Sequence, residues 1–162
     1  MEHQALGAES FGTGEEVLEQ YANMVYRLAL SQVKSRHDAD DIFQEVFLRY
    51  YRKNRTFESE EHRKAWLLRV TVNCSKRFWT SAWKRRTVPL EEPPPEAAQE
   101  DTGLSQALGE LPQSYRAVLH LHYYEGYTAE QIGEMLHRKP STVRMQLTRG
   151  RALLKEKLKG DD

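Results

Sequence analysis

The sequence predicts an all-α fold in which a flexible, acidic, proline-rich linker joins two small helical domains. Apolar residues recur at steps of three and four along most of the chain, as in helices, and no alternating strand pattern appears. Residues 87–102 hold four of the six prolines, with acidic residues and little to bury. The 162 residues leave room for two very small domains with thin cores. We therefore divide the chain into a tail (1–14), a first domain (15–86), the linker (87–102), a second domain (103–158) and a tail (159–162).

The first domain is predicted to contain three helices. A capping box at Thr13 and Glu16 starts the first helix, which continues to about Val33. The second helix covers about 38–53. Its apolar side is formed by residues at steps of three and four, namely Ala39, Ile42, Phe43, Val46, Phe47, Tyr50 and Tyr51. After a loop at 54–61, a long third helix extends to about residue 85.

This long third helix combines basic and aromatic side chains. Basic groups neutralise phosphates, aromatic rings stack on unpaired bases, and Asn73 can read a base edge. Trp66 is in phase with the apolar residues beside it, so we expect it in the core. Trp79 and Trp83 lie one turn apart on a shared face, which suits either a docking surface or contact with DNA.

The second domain is predicted to end in a helix-turn-helix. Helices at 104–111 and 112–124 lead to this motif, which covers 127–155. Thr128 and Gln131 form a capping box at the start of its first helix. A short helix that braces a basic one is how proteins place side chains in the DNA major groove. The second helix of the motif has a polar and basic outer side, made of Arg144, Thr148, Arg149 and Arg151.

Charge is segregated along the chain although the formal net charge is zero. Residues 62–86 contain eight basic residues and no acidic one, and residues 137–159 contain eight basic residues against one acidic. Residues 87–101 contain five acidic residues and no basic one. Basic blocks on helices are the electrostatic footprint of nucleic-acid binding. Two such blocks, one of them inside a helix-turn-helix, favour DNA as a partner over two solvated helix faces.

Nothing in the sequence predicts an enzyme, a cofactor or a metal site. The acidic residues of 38–45 are loosely spaced, and carboxylates collect at helix N-termini in any case. His120 and His122 fall on different helix faces. Cys74 is the one cysteine, which excludes an internal disulfide and suits a reducing cytoplasm. The chain has no apolar stretch for a membrane span and no signal-peptide pattern, so we expect a cytoplasmic protein without membrane insertion.

Five motifs occur in a fixed order. The first domain carries Asp38-Ala-Asp-Asp-Ile-Phe-Gln-Glu-Val-Phe-Leu48 and Ala65-Trp-Leu-Leu-Arg-Val-Thr-Val-Asn73. The second carries Leu111-Pro-Gln-Ser-Tyr-Arg-Ala-Val-Leu119, Tyr127-Thr-Ala-Glu-Gln-Ile-Gly133 and Ser141-Thr-Val-Arg144. In order and spacing the chain resembles the extracytoplasmic-function (ECF) sigma factors of bacterial RNA polymerase, within the sigma-70 family. The first pair looks like the family's region 2, and the other three motifs look like its region 4.

The resemblance implies partners and residue roles. It implies binding to the polymerase core, through the beta-prime clamp and the beta flap, binding to promoter DNA, and a partner anti-sigma factor that could hold the chain at the membrane. The residues that match the clamp-binding segment are Asp41, Gln44, Glu45 and Phe47. Those that match the minus-ten helix are Asn73, Lys76 and Arg77, and the loop 54–61 matches the loop that captures a flipped base. Those that match the minus-thirty-five helix are Ser141, Thr142, Arg144, Thr148 and Arg149.

The predicted function is therefore promoter recognition and melting as a sigma factor. The chain departs from the family pattern at Ser75, Ser141 and Gln146, which leaves the promoter sequence open. One alternative is a DNA-binding regulator with a sensor or dimerisation domain, which explains the second domain but not the basic aromatic helix of the first. Another is an RNA-binding protein that uses the same helices. Because neither domain has an obvious large apolar face for the other, we predict that the two halves move independently.

Overall fold

The computed structural model describes residues 14–33, 35–53, 56–82 and 107–160, and the regular structure in these ranges is helical throughout. The helices are α1 (Gly14–Gln32), α2 (Arg36–Lys53), α3 (Glu60–Ala82), α4 (Gln113–Leu119), a π-helical turn (His120–Tyr124), α5 (Ala129–Leu136) and α6 (Pro140–Gly160). The predicted all-α fold class is confirmed. None of the described helices combines the length and apolarity needed to cross a membrane.

The first half, residues 14–82, is a three-helix bundle in which α1 packs on α2 and α3, and α2 packs on α3. Leu28 and Leu67 are fully buried at its centre. Trp66 lies in the core, as predicted. Its ring meets the rings of Tyr50 and Phe57 at centroid distances of 6.0 and 5.7 Å. Such tilted aromatic contacts add stability beyond the area that they bury, so the first half is held mainly by large side chains.

The second half, residues 107–160, is smaller, and α4 and α5 both pack on α6. Ile132 and Val143 are fully buried between α5 and α6. A Cβ atom added to Gly150 would lie 3.1 Å from the Leu119 side chain, so α6 and α4 approach each other closely at this point. The core is thin, and small residues at the contacts allow the helices to share it.

The predicted helix 112–124 changes its hydrogen bonding part-way. The amide of Glu125 donates to the carbonyl of His120, five residues earlier, at 3.1 Å, which is a π-helical pattern. The wider turn leaves Tyr123 and Tyr124 exposed. Apolar periodicity cannot distinguish this turn from a regular helix, because the change depends on the elements that pack around it.

Other boundaries differ little from the prediction. Helix α3 begins at Glu60, where the sequence predicted a loop up to residue 61. Of the predicted helix at 104–111, residues 107–109 form one helical turn and Leu111 lies beyond it. The Thr13 cap, Trp83, the linker 87–102, most of the N-terminal tail and residues 161–162 lie outside the described residues.

The two halves touch each other in the structure, with α1 against α4 and α3 against α5. The side-chain amide of Gln113 donates to the side-chain oxygen of Gln32 at 2.9 Å. A guanidinium nitrogen of Arg69 lies 3.1 Å from Nε2 of His137. The two halves therefore meet in this structure, and their independent movement stays a prediction. These two side-chain contacts are polar, and buried apolar residues of both halves also belong to one continuous core, which periodicity within single helices does not reveal.

Candidate polymerase and nucleic-acid interfaces

The exposed side of α2 carries an acidic and apolar surface. Asp41 and Gln44 are exposed, and Glu45 is half-exposed. Leu48 follows Gln44 by one turn, so it lies on the same face, and its side chain is 45% exposed. An apolar side chain beside carboxylates on one helix face suits protein docking better than it suits free solvent. Three of the four predicted polymerase-binding residues therefore share an accessible surface.

Phe47 is the exception among the predicted polymerase-binding residues. Its side chain is only 4% exposed, and its ring packs at 4.9 Å from the ring of Phe43. It supports α2 from the core, and direct contact with a partner would need its ring to leave the core, so its assignment as a contact residue stays a prediction. The exposed apolar residues beside it, Leu48 and Tyr51, were missed. Leu48 follows Gln44 at helical spacing, which is the signal that could have found it. Tyr51 was predicted on the apolar side of α2 and is exposed instead.

Ion pairs organise the α2 surface. Nε of Arg49 lies 2.8 Å from Oε2 of Glu45, one turn along the helix. This hydrogen bond is the main reason why the pKa of Glu45 lies below its ordinary value. Asp41 is 3.8 Å from the ring of His37, also one turn away. Exposed pairs of this kind contribute little to stability, so the carboxylates remain available to a partner.

The predicted minus-ten residues lie on one strip of α3. Asn73, Lys76 and Arg77 are spaced by three and four residues and therefore share a helix face. Asn73 and Arg77 are exposed, whereas Lys76 is half-buried. Burial lowers the pKa of Lys76, and the nearby guanidinium of Arg138 in the other half lowers it further. One of the three predicted minus-ten residues is thus half-buried, with Arg138 of the second half close to it.

Trp79 has a structural contact that the sequence left undecided. Its indole N–H donates to the carbonyl of Gln32, at the end of α1, at 2.8 Å. The guanidinium of Arg116, from α4, lies 5.8 Å from the centre of the indole ring. The structure therefore places Trp79 at the contact between the halves, with its side chain still 38% exposed. Trp83, predicted to share its face, lies outside the described residues.

Local backbone geometry builds the helix-turn-helix. The Thr128 hydroxyl accepts from the amide of Gln131 at 3.1 Å, and the Gln131 side chain accepts from the amide of Thr128 at 2.9 Å, which is the predicted capping box. His137 ends α5 in the left-handed conformation, with φ of 58°. A Cβ atom on Gly133 would lie 2.6 Å from the carbonyl oxygen of Arg138. Only glycine allows this approach, which sets the angle at which α6 leaves the turn.

The predicted recognition residues lie on the outer side of α6. Val143 and Leu147 anchor the helix in the core, and the opposite side projects outwards. Of the predicted residues, Ser141, Arg144, Thr148 and Arg149 are exposed and Thr142 is half-exposed. Arg144 is paired with Glu130 of α5, with 2.7 Å between nitrogen and oxygen. Because both partners are exposed, the pair orients Arg144 at small energetic cost to its release.

A groove of about 740 Å³ lies beside the π-helical turn, between the turn at 107–109 and the C-terminal part of α6. The sequence did not predict this groove. Its apolar lining is formed by Leu108, Leu119, Tyr123, Tyr124, Leu154 and Leu158. Every charged residue in the lining is basic, namely Arg116, Arg151, Lys155 and Lys159. Ser31 of α1 closes one side. An apolar groove with a basic rim suits an amphipathic helix that carries acidic residues.

Potential metal ligands do not cluster in the described part of the chain, where no three His, Cys, Asp or Glu side chains come together. Cys74 is buried in the first half, and burial raises the pKa of its thiol. A buried thiol of this kind is a packing group and not a reactive one.

Comparison with known proteins assigns both halves. The family model described as Sigma-70 region 2 matches residues 17–85, and the model described as Sigma-70, region 4 matches residues 102–154. The RNA polymerase sigma factor SigV of Bacillus subtilis is 31% identical over 142 residues, which cover 85% of this chain and 86% of that protein. The chain belongs to the sigma-70 family. Its predicted identity as an ECF sigma factor is confirmed.

Other relatives agree with this assignment. The ECF RNA polymerase sigma factor SigE of Mycolicibacterium smegmatis is 34% identical over 157 residues, or 89% of this chain, and the chain spans 61% of that longer protein. The sigma factor RpoE of Bartonella quintana, solved in complex with the anti-sigma factor NepR, shares the fold with a TM-score of 0.73. That alignment covers 91% of this chain and 98% of RpoE at 23% identity. The individual site residues of this sigma factor remain predictions.

Proposed function

We propose that this sigma factor directs the RNA polymerase core to specific promoters and supports promoter melting. The observation that carries the proposal is that each sigma region has one helix with its predicted DNA-binding residues on one side. A DNA-binding regulator with a single helix-turn-helix would need only the helix of the second half. We propose no catalytic activity for the chain itself, since a sigma factor supplies recognition and the core enzyme supplies the chemistry.

Two surfaces are proposed to bind the core. The α2 face with Asp41, Gln44 and Glu45 would meet the beta-prime clamp, and exposed Leu48 would add apolar contact. The groove of the second half would receive an amphipathic helix of the beta flap. Charged pairs at such an interface favour rapid and specific encounter, while apolar contact supplies most of the affinity.

Promoter DNA is proposed to meet α3 at the minus-ten element and α6 at the minus-thirty-five element. Arg144 and Arg149 can contact base edges from the outer side of α6, since arginine reads guanine with two hydrogen bonds. Lys157, further along the helix and not in the groove lining, would meet phosphates or solvent. The Glu130 carboxylate would release Arg144 when DNA arrives, because DNA offers a stronger partner than an exposed pair.

An anti-sigma factor is the third proposed partner. The Bartonella relative was solved with one, and the basic groove of this chain suits an acidic amphipathic helix of such a protein. The proposed location is the cytoplasm, and a membrane-bound anti-sigma factor would hold the chain at the membrane surface.

Binding and transcription with purified core polymerase test the proposal. A sigma factor binds core in the absence of DNA and then initiates run-off transcripts from a subset of a promoter library. A plain DNA-binding regulator gives DNA binding without either result. An RNA-binding protein prefers RNA competitors in both assays. Failure to bind core and to initiate on any promoter would overturn the proposed function.

A further inference from the structure

The turn of the helix-turn-helix holds one arginine at a fixed place beside α6. The amide of Arg138 donates to the carbonyl of Gly133 at 2.8 Å. The carbonyl oxygen of Arg138 lies against the same glycine, where an added Cβ atom would meet it at 2.6 Å. His137, in the left-handed conformation, directs the chain into this position. Two close approaches to α5 therefore fix the backbone of Arg138, and both lie within the second half.

The side chain of Arg138 binds a residue of α6. A guanidinium nitrogen of Arg138 donates to the side-chain oxygen of Gln146 at 2.9 Å. Because a guanidinium has donors and no acceptor, the amide atom that faces it must be the oxygen. The amide oxygen of Gln146 is thus engaged within the protein, and its two N–H donors are the groups left for another partner.

Gln146 lies on the side of α6 that is predicted to read the minus-thirty-five element. It is half-exposed, and it stands four residues after Thr142 and three before Arg149. Residues at these spacings share a helix face. Gln146 also belongs to the first two turns of α6, which begins at Pro140, and the N-terminal part of a recognition helix is the part that contacts base edges. Its side chain is therefore placed to meet DNA, although the sequence did not predict it as a site residue.

The engaged oxygen decides which base Gln146 binds best. A glutamine whose amide is free uses both its oxygen and its amino group to form two hydrogen bonds with adenine. In this chain a charged donor already holds the oxygen, and charge-assisted hydrogen bonds are stronger than neutral ones. The remaining N–H donors need acceptors, and guanine presents two acceptors and no donor in the major groove. Adenine would leave its amino group without a partner at this side chain.

We propose that Arg138 is a positioning residue for promoter recognition. It holds the oxygen of Gln146, so that this glutamine selects guanine over adenine at one base pair of the minus-thirty-five element. The inference rests on the proposed function, because it assigns a base preference to the helix that is proposed to meet this element. Arg138 acts through Gln146 and not through a base contact of its own.

Selection from a promoter library tests the proposal. Core polymerase is combined with the wild-type protein, Gln146→Ala or Arg138→Met, and the promoters that each holoenzyme binds are selected from a library randomised over the minus-thirty-five element and sequenced. Gln146→Ala identifies the base pair, as the position where the wild-type preference disappears. There we expect the wild-type protein to prefer G·C over A·T by about fivefold or more, and Arg138→Met to shift this preference towards A·T by a similar factor. Preferences at the other positions should stay unchanged.

Matched controls separate base reading from charge and folding. Lys139→Met makes the same charge change one residue later, at an exposed side chain, and should keep the G·C preference. Arg138→Met in the Gln146→Ala background should change no base preference, because the side chain through which Arg138 acts is then missing. Arg138→Gln is a second test variant. Its side chain is two bonds shorter than that of arginine, so it keeps a polar group in the turn, loses the contact with Gln146 and should shift the preference as Arg138→Met does.

Three results would overturn the proposal. The first is an unchanged G·C preference in a folded Arg138→Met or Arg138→Gln variant. The second is a wild-type preference for A·T at the base pair that depends on Gln146. The third is a Gln146→Ala variant that keeps the wild-type preference at every position. A wild-type holoenzyme that selects no promoter at all would instead overturn the proposed function.

Discussion

The two halves of this sigma factor position their recognition residues by different physical means. In the first half, α2 and α3 rest on large aromatic side chains, among them Phe43, Phe47 and Trp66. In the second half, α6 leaves a turn whose shape depends on Gly133 and a left-handed His137. Removing an aromatic ring should therefore destabilise the first half. Adding a single methyl group at Gly133 should disrupt the helix-turn-helix of the second half.

Phe47→Ala should give the largest loss of stability. It tests whether side-chain packing supports the first half. Truncating a buried phenylalanine costs about 3–5 kcal/mol, so urea unfolding should show a large loss of stability. Leu48→Ala is the matched control, because its exposed side chain should change stability by less than about 0.5 kcal/mol. We expect Leu48→Ala to weaken binding to core polymerase. If Phe47→Ala stayed stable and lost only core binding, Phe47 would be a contact residue after all.

Gly133→Ala should be the strongest single-methyl change in the second half. The new Cβ would lie 2.6 Å from a backbone oxygen, and backbone yields less readily than a side chain. We expect a loss of about 2–3 kcal/mol, together with loss of binding to minus-thirty-five DNA. Gly150→Ala is the control, since its nearest neighbour is the movable side chain of Leu119 at 3.1 Å. Equal losses in both variants would contradict the role given to the turn.

The sequence predicts the helices of both halves better than it predicts the contacts that hold them together. The three- and four-residue period locates α1, α2, α3 and α6 to within a few residues, and the capping box at Thr128 is visible in the sequence. The period correctly separates buried Phe47 from exposed Leu48, but it also places Tyr51 on the apolar side, and the Tyr51 side chain is exposed. The π-helical turn and the groove beside it depend on tertiary packing. The contact between the halves joins polar residues up to 81 positions apart, such as Gln32 and Gln113, and no local pattern marks such pairs.

Arg144→Ala should separate base reading from general attraction on α6. Loss of an arginine that reads a base costs about 1–3 kcal/mol for the specific site and relaxes specificity there. Lys157→Ala should weaken all sequences alike and reduce the salt dependence of binding, as loss of a phosphate contact does. Titration of promoter and random DNA at several salt concentrations measures both. If Arg144→Ala weakened specific and random DNA equally, α6 would not be reading bases through Arg144.

Asp41→Arg with Glu45→Arg should weaken core binding and leave the first half folded. Both carboxylates lie on the accessible face of α2, where charge reversal changes stability by less than about 0.5 kcal/mol per site. Glu15→Arg with Glu19→Arg makes the same charge change on α1 and serves as the control. Circular dichroism and a core-binding titration give the two readouts. Equal loss of core binding in both double variants would indicate a general charge effect and not docking on α2.

Glu125→Gln should give the smallest effect. It allows the buried carboxylate of Glu125 in the second half to be compared with the half-exposed carboxylate of Glu45 in the first. The His120 ring, 3.8 Å away, and then Lys64 and Arg27 hold the pKa of Glu125 below its ordinary value. A lowered pKa in the folded state means that folding favours the ionised form. Its contribution is therefore present above the unfolded pKa of about 4.3 and disappears as the pH falls through the folded value.

Urea unfolding at a series of pH values measures this contribution. We expect Glu125→Gln to lower the stability at neutral pH and to show a weaker decline between about pH 5 and 3 than the wild-type protein. Glu45→Gln should change the curve less, because solvent screens its exposed pair with Arg49. Lys64→Met should reduce the effect of Glu125→Gln, since the two side chains form a pair across the halves. A loss that is the same at every pH would mean that Glu125 acts through packing and not through its charge.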